Sequence, residues 1–131
     1  MAIFTPAEVQ YLQSQRLGRL ATVNAKGEPH VIPVVYRFDP QAEVLEIAGR
    51  NMAGTRKYRD VRGQGKAAFV VDDWTGPSQA RAVEVRGRAA IATVERDGAD
   101  VEVIRITPRH IVSWGLEGGA YQRSSRRVAI A

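Results

Sequence analysis

The chain has 131 residues, with 19 Lys and Arg against 14 Asp and Glu, and its formal net charge is +5. This length predicts a single domain, residues 1–131, built around one hydrophobic core. The chain contains no cysteine, which excludes disulfides, a thiol nucleophile, a Cys-based zinc site and an iron–sulfur cluster.

The first predicted element is a helix that begins at Pro6. Thr5 is a suitable N-cap, and Glu8 completes a Thr-x-x-Glu capping box. After Gly18 the pattern changes to strands, and short turns separate LATVN, HVIPVVYRF and VLEIA. This part of the sequence therefore predicts a β-meander.

The second half of the chain continues with strands after one short helical turn, RKYRDVR. The strand KAAFVVD is expected to be buried and to end at Asp72 and Asp73. The next strand, VEVRGRAAI, alternates apolar and charged residues, and VEVIRIT and HIVSW follow it. Six to seven antiparallel strands with one to three short helices predict a mainly β fold, a closed or split β-barrel. The tail, residues 118–131, is expected either to be partly mobile or to dock on a second subunit.

The most informative segment is Arg50–Asp73, where cations outnumber acids in the first half. Only Asp60 is available there to neutralise six basic side chains: Arg50, Arg56, Lys57, Arg59, Arg62 and Lys66. Most of this charge must face water, a partner chain or an anionic ligand. The segment thus indicates an anion-binding function.

The sequence lacks the residues that several common types of catalysis require. The Gly63–Lys66 segment is too short for a phosphate-binding Walker loop, and no Gly-x-Ser-x-Gly motif is present. His30 and His110 do not have the spacing of metal ligands, so no metal site is predicted. Any redox chemistry would therefore depend on a bound cofactor.

Four blocks of sequence carry a resemblance to a known family: RLATVNAKGEPHVIPVVYRFDP, RNMAGTRKYRDVRGQGKAAFVVDD, VEVRGRA and ITPRHIVSWG. In this order they resemble the pyridoxamine 5'-phosphate oxidase-like superfamily, the FMN-binding split β-barrels, and most closely its actinobacterial branch that uses coenzyme F420. The resemblance implies a homodimer with deazaflavin or flavin bound at the subunit interface. It also implies hydride transfer from reduced F420 to an activated double bond of a small organic acceptor, for which a tetracycline-type tailoring reduction is one option.

The resemblance also implies positions for the cofactor. Lys57 falls at the position that holds the phosphate, with Arg50, Asn51, Thr55 and Arg56 on the same connection. Backbone groups around Pro33 and Val34 would bind the pyrimidine edge of the ring, His30 could line the groove, and Trp74 or Trp114 could wall it. From the residues alone, Pro33 could equally mark an edge bulge, and each Trp could serve core or dimer packing. No catalytic side chain is assigned.

Three alternatives remain open at this point. FMN could replace F420, since both carry a phosphate and a similar ring, and the protein could be an F420 carrier without turnover. Nucleic-acid binding fits the high pI but is disfavoured, because Tyr58 alone is interleaved with the cations. The sequence shows neither a signal peptide nor a membrane-length apolar run, which predicts a cytoplasmic protein without membrane contacts.

Overall fold

A computed structural model describes residues 2–117 and 122–128 of the chain. In chain order the helices and strands are α1 (Pro6–Ser14), β1 (Leu17–Val23), β2 (Pro29–Val35), β3 (Arg37–Asp39), β4 (Val44–Ile47), a 3-10 turn (Met52–Gly54), α2 (Arg56–Gln64), β5 (Lys66–Gly76), β6 (Gln79–Arg96), β7 (Ala99–Trp114) and β8 (Arg123–Arg127).

The strands form one antiparallel sheet in the order β2-β1-β5-β6-β7-β4-β3, and β8 pairs with β7. The described strands do not close the sheet, since β2 and β3 are its two ends. The predicted mainly β, split-barrel fold is confirmed. The strand count exceeds the predicted six to seven because β8, five residues of Arg and Ser, carries no apolar alternation.

The first helix is anchored through the predicted capping box. The Thr5 side chain accepts from the Glu8 amide, and the Glu8 carboxylate accepts from the Thr5 amide. Glu8 is only 1% exposed and also accepts hydrogen bonds from Ser113 at 2.6 Å and from Arg126 of β8. Burial raises the pKa of the Glu8 carboxyl, but the bonds from Arg126, Ser113 and Thr5 outweigh it, and the pKa lies below its ordinary value of 4.5. Glu8 therefore joins α1, β7 and β8.

The inner face of the curved sheet carries the hydrophobic core. On β6, Val83, Val85 and Ala89 are buried, while Arg86 and Arg88 are exposed, as the alternation predicts. The large side chains at the centre of this core are Leu20, Leu45, Ile47, Phe69, Ile104, Ile106 and Ile111.

The long pair β6–β7 belongs to both halves of the barrel. Its register shifts between Arg86 and Gly87. The first part of β6 also pairs with β5, and residues 104–106, in the first half of β7, pair with β4. A Cβ at Gly87 would lie 2.0 Å from the carbonyl oxygen of Thr107. Only glycine lets the two backbones approach so closely at this irregularity.

The structure corrects three strand boundaries. Asp72 and Asp73 do not end β5, which continues to Gly76, because Arg19 pairs with Asp72 at 2.8 Å and Arg81 with Asp73 at 2.7 Å. The segments VEVIRIT and HIVSW are one strand, β7. HVIPVVYRF is divided into β2 and β3 at Tyr36.

Part of the tail is described. Residues 123–127 form β8 and pair with β7, while residues 118–121 and 129–131 lie outside the described residues. Docking of the tail on a second subunit stays a prediction.

Candidate functional site

The connection that leads into α2 is compact and capped. Thr55 is the N-cap of α2: its hydroxyl accepts from the Tyr58 amide at 3.3 Å and donates to the Met52 carbonyl at 2.7 Å. Asn51 has a left-handed backbone with φ of 50°, and its side chain packs so closely that a Cβ at Gly54 would lie 2.6 Å from its Nδ2. These contacts fix the path between exposed Arg50 and the first turn of the helix.

The first turn of α2 presents cations and backbone donors together. Arg56 is exposed, Lys57 is half-buried, and the first turn holds no acidic residue. The amides of Arg56 and Lys57 are the first two of the helix and have no acceptor within the described residues. The helix dipole favours an anion at the same place. This end of α2 is therefore suited to bind a phosphate.

The single acid of α2 does not neutralise these cations. Asp60 is 6% exposed and accepts a hydrogen bond from the Thr22 hydroxyl of β1 at 2.7 Å. Among residues 2–117 and 122–128, no Lys or Arg of α2 forms an ion pair, although Arg62 lies 5.8 Å from the centre of the Tyr58 ring. The expected anion-binding character of the segment thus stays with Arg56, Lys57 and the exposed Arg59.

The predicted ring-binding strand, β2, lies at one end of the sheet. It pairs only with β1 among the described strands, so one of its backbone edges has no strand beside it. Pro33 is exposed on this strand and lies opposite Arg19, while Val34 points into the core. An open edge can offer backbone hydrogen bonds to a ligand, which is the role predicted for this segment.

His30 lies on the inner side of β2, opposite Thr22. The residue is half-buried, and its Nδ1 is buried without a hydrogen-bond partner in the described part of the chain. A buried polar atom without a partner costs free energy, so a ligand atom beside His30 would be stabilising.

The two tryptophans lie on the outer face of the sheet. Trp74 on β5 is 64% exposed, and Trp114 on β7 is half-buried. Trp74 lies opposite Ala80 of β6 and Trp114 lies opposite Ala82, so both indoles face the same side. Because α2 packs on the inner side, one chain does not bring either Trp next to Lys57.

The hydroxyl groups of Tyr36 and Tyr58 both form hydrogen bonds within the chain. The Tyr36 hydroxyl donates to the Leu12 carbonyl at 2.6 Å, and burial raises the pKa of Tyr36. The Tyr58 hydroxyl donates to Glu102 at 3.1 Å. The pairs Thr22–Asp60 and Tyr58–Glu102 were missed in the sequence, since no local pattern signals contacts across so many residues.

The described residues contain no group of three His, Asp or Glu side chains able to hold a metal ion. Within the same residues, no helix is long and apolar enough to cross a membrane.

Comparison with known proteins identifies the family. Residues 4–130 match the family described as pyridoxamine 5'-phosphate oxidase. The chain belongs to this family. A relative from Streptomyces rimosus, 5a,11a-dehydrotetracycline/5a,11a-dehydrooxytetracycline reductase, is 48% identical over 122 residues, which are 88% of this chain and 85% of the relative. Membership in the pyridoxamine 5'-phosphate oxidase family and this relative together support an oxidoreductase.

Solved structures agree with the fold of this family. An FAD-binding protein from Mycobacterium smegmatis superimposes with a TM-score of 0.64 at 21% identity, covering 86% of this chain and 96% of that one. A pyridoxamine 5'-phosphate oxidase-related, FMN-binding protein from Nostoc punctiforme gives 0.66 at 12% identity, with 98% and 99% covered. At these identities the likeness shows the fold alone.

Proposed function

We propose that this protein transfers a hydride from reduced coenzyme F420 to an activated carbon–carbon double bond of a small organic acceptor. The observation that carries the proposal is the 48% identity to a reductase of dehydrotetracyclines. Reduction of such a double bond requires a hydride and a proton. Protein side chains do not donate hydride, so an organic cofactor must supply it.

The first turn of α2 fits the acidic end of F420. A phosphate can be held there by the side chains of Lys57 and Arg56 and by the first two backbone amides of the helix. Thr55 and Asn51 fix the turn before the helix, and Arg50 adds positive charge beside it. Arg59 is exposed on the same helix and is placed to attract the polyglutamate tail. FMN has a phosphate but no such tail, so the surplus of cations favours F420.

The open edge of β2 fits the ring. Backbone groups near Pro33 and Val34 would hold its pyrimidine edge, and the unpartnered Nδ1 of His30 could bind a polar atom of the bound molecule. When bound, reduced F420 supplies the hydride, and water supplies the proton. These residues would orient the reacting molecules, and such positioning is a large part of catalysis in cofactor enzymes.

We also propose a homodimer. Leu17 and Val35 are direct partners on adjacent strands and are 46% and 67% exposed on the outer face, the same face that carries exposed Trp74. Exposed apolar groups that lie together favour burial against another chain. In such a dimer, Trp74 or Trp114 of one subunit could wall the ring held by the other, which one chain cannot do.

An activity assay distinguishes an F420-dependent reductase from an FMN enzyme and from an F420 carrier. Purified protein is mixed without oxygen with reduced F420 and a 5a,11a-dehydrotetracycline, and reoxidation of F420 is followed by absorbance. The proposal expects reoxidation that requires both the protein and the acceptor. Turnover with reduced FMN alone would identify an FMN enzyme, and tight F420 binding without turnover over a broad panel of acceptors would identify a carrier.

A further inference from the structure

One carboxylate on the outer side of β4 is surrounded by arginines. Both neighbours of Glu46 on the strand point into the core, so Glu46 faces the outer side. Arg37 of β3 and Arg105 of β7 lie directly opposite Glu46 on the two adjacent strands, and Arg96 reaches it from the end of β6. Glu46 is nevertheless only 3% exposed. We call Glu46, Arg96 and Arg105 the arginine cluster, and Arg37 lies at its border.

Two short ion pairs hold the arginine cluster together. Nη2 of Arg96 lies 2.8 Å from Oε1 of Glu46, and Nη2 of Arg105 lies 3.0 Å from Oε2. Nη1 of Arg37 is 4.0 Å from Oε1, and the side chain of Arg37 is 63% exposed. Each oxygen of the Glu46 carboxylate therefore fixes one guanidinium of the cluster, while Arg37 is only loosely attached.

The arginine cluster has more positive charge than its carboxylate can neutralise. Each other acid that forms an ion pair within the described residues has a single arginine, in the pairs Arg19–Asp72, Arg81–Asp73, Arg86–Glu84 and Arg126–Glu8. In the cluster, two arginines share one glutamate, which leaves one positive charge. Asp39, the other acid of β3 and β4, accepts from the amides of Gln41 and Ala42 and can at most offset the charge of Arg37.

Both arginines of the cluster also have an unused donor. Nε of Arg96 and Nε of Arg105 are buried and have no hydrogen-bond partner among the described residues. A buried donor without an acceptor costs free energy. A guanidinium presents Nε–H and one Nη–H side by side, and this pair of donors matches two oxygens of a phosphate or a carboxylate. An oxyanion that reaches these groups would satisfy the donors and neutralise the remaining charge.

We propose that Arg96 and Arg105 form a second oxyanion site, which binds a phosphate or carboxylate group of a small molecule. Glu46 orients the two guanidiniums for this role. The site lies on β6 and β7, is separate from the first turn of α2, and goes beyond the proposed function. Since Arg37 follows Val35 of the apolar patch by two residues, the ligand would lie on the side of Glu46 opposite to Arg37.

The test observes the Nε–H groups directly by proton–nitrogen NMR while inorganic phosphate or succinate is added at constant ionic strength. The variants Arg96→Lys and Arg105→Lys identify the two signals and retain the charge beside Glu46. We expect both signals of the wild type to shift to saturation. Each variant should weaken binding, read from the other signal, by about tenfold, the value of one partly exposed charge-assisted contact. The matched control Arg16→Lys, at an exposed arginine without an ion pair to the described residues, should bind as the wild type does.

The inference is overturned if neither anion produces a saturable shift, or if Arg16→Lys weakens binding as much as the cluster variants do. Repeating the titration with Lys57→Ala should give the same affinity, and loss of the response there would assign it to α2 and overturn the inference. A stronger response to phosphate supports a phosphate-bearing ligand, and a stronger response to succinate supports a carboxylate. Since no cofactor is added, failure of F420 to bind would overturn the proposed function alone.

Discussion

A buried hydrogen bond between Thr22 and Asp60 helps to hold α2 against β1, and Thr22→Val removes it. Thr22 and Asp60 are 4% and 6% exposed, and their oxygens are 2.7 Å apart. Valine keeps the shape but leaves the Asp60 carboxyl buried without that donor. A hydrogen bond to a charged group contributes about 1.5 to 3 kcal/mol, so we expect the free energy of unfolding to fall by about 2 kcal/mol.

Urea denaturation followed by circular dichroism measures this change, with a melting temperature lowered by roughly 5 to 10 °C for a domain of this size. Thr93→Val is the matched control, because Thr93 is exposed on β6 and its hydroxyl has no partner among the described residues. A loss below about 0.5 kcal/mol in Thr22→Val would refute the reasoning, since it would mean that Asp60 is solvated rather than held by β1.

Two further substitutions test the fold around the site. Glu8→Gln leaves Arg126 without its carboxylate and should cost about 3 kcal/mol at neutral pH. Because the pKa of Glu8 is lowered, this stabilisation is present above pH 4.5 and is lost as the pH falls below it. The difference in the free energy of unfolding between wild type and Glu8→Gln, measured with urea, should therefore shrink in acid. Gly87→Ala drives a Cβ against the Thr107 carbonyl and should lower the free energy of unfolding by about 3 kcal/mol. The control Gly63→Ala has open space around it and should be neutral or stabilising. Equal shifts of the melting temperature in the two variants would contradict the close approach at Gly87.

Local signals in the sequence were sufficient for most of the fold. The capping box of Thr5 and Glu8 and the alternation of β6 depend on neighbours in sequence, and both are confirmed. The extension of β5 through Asp72 and Asp73 was not predictable, because it depends on arginines of other strands. Strand β8 was missed since its stability comes from pairing with β7 rather than from its own composition.

The candidate site was also predictable from the sequence only in part. The cation-rich turn around Lys57 was visible because its residues are consecutive, and the structure adds the caps that shape it. The burial of Asp60 against Thr22, which leaves those cations uncompensated, and the exposed position of Trp74 depend on how the sheet folds. No pattern along the chain reports contacts of that kind.

The most direct test of the central claim is titration of the protein with F420 and with FMN, observed by tryptophan fluorescence, for wild type, Lys57→Ala and the surface control Lys26→Ala. We predict tighter binding of F420 than of FMN, with Lys57→Ala weakening F420 by about ten- to a hundredfold and Lys26→Ala leaving it unchanged. Equal affinity of wild type and Lys57→Ala, or a preference for FMN, would contradict the account.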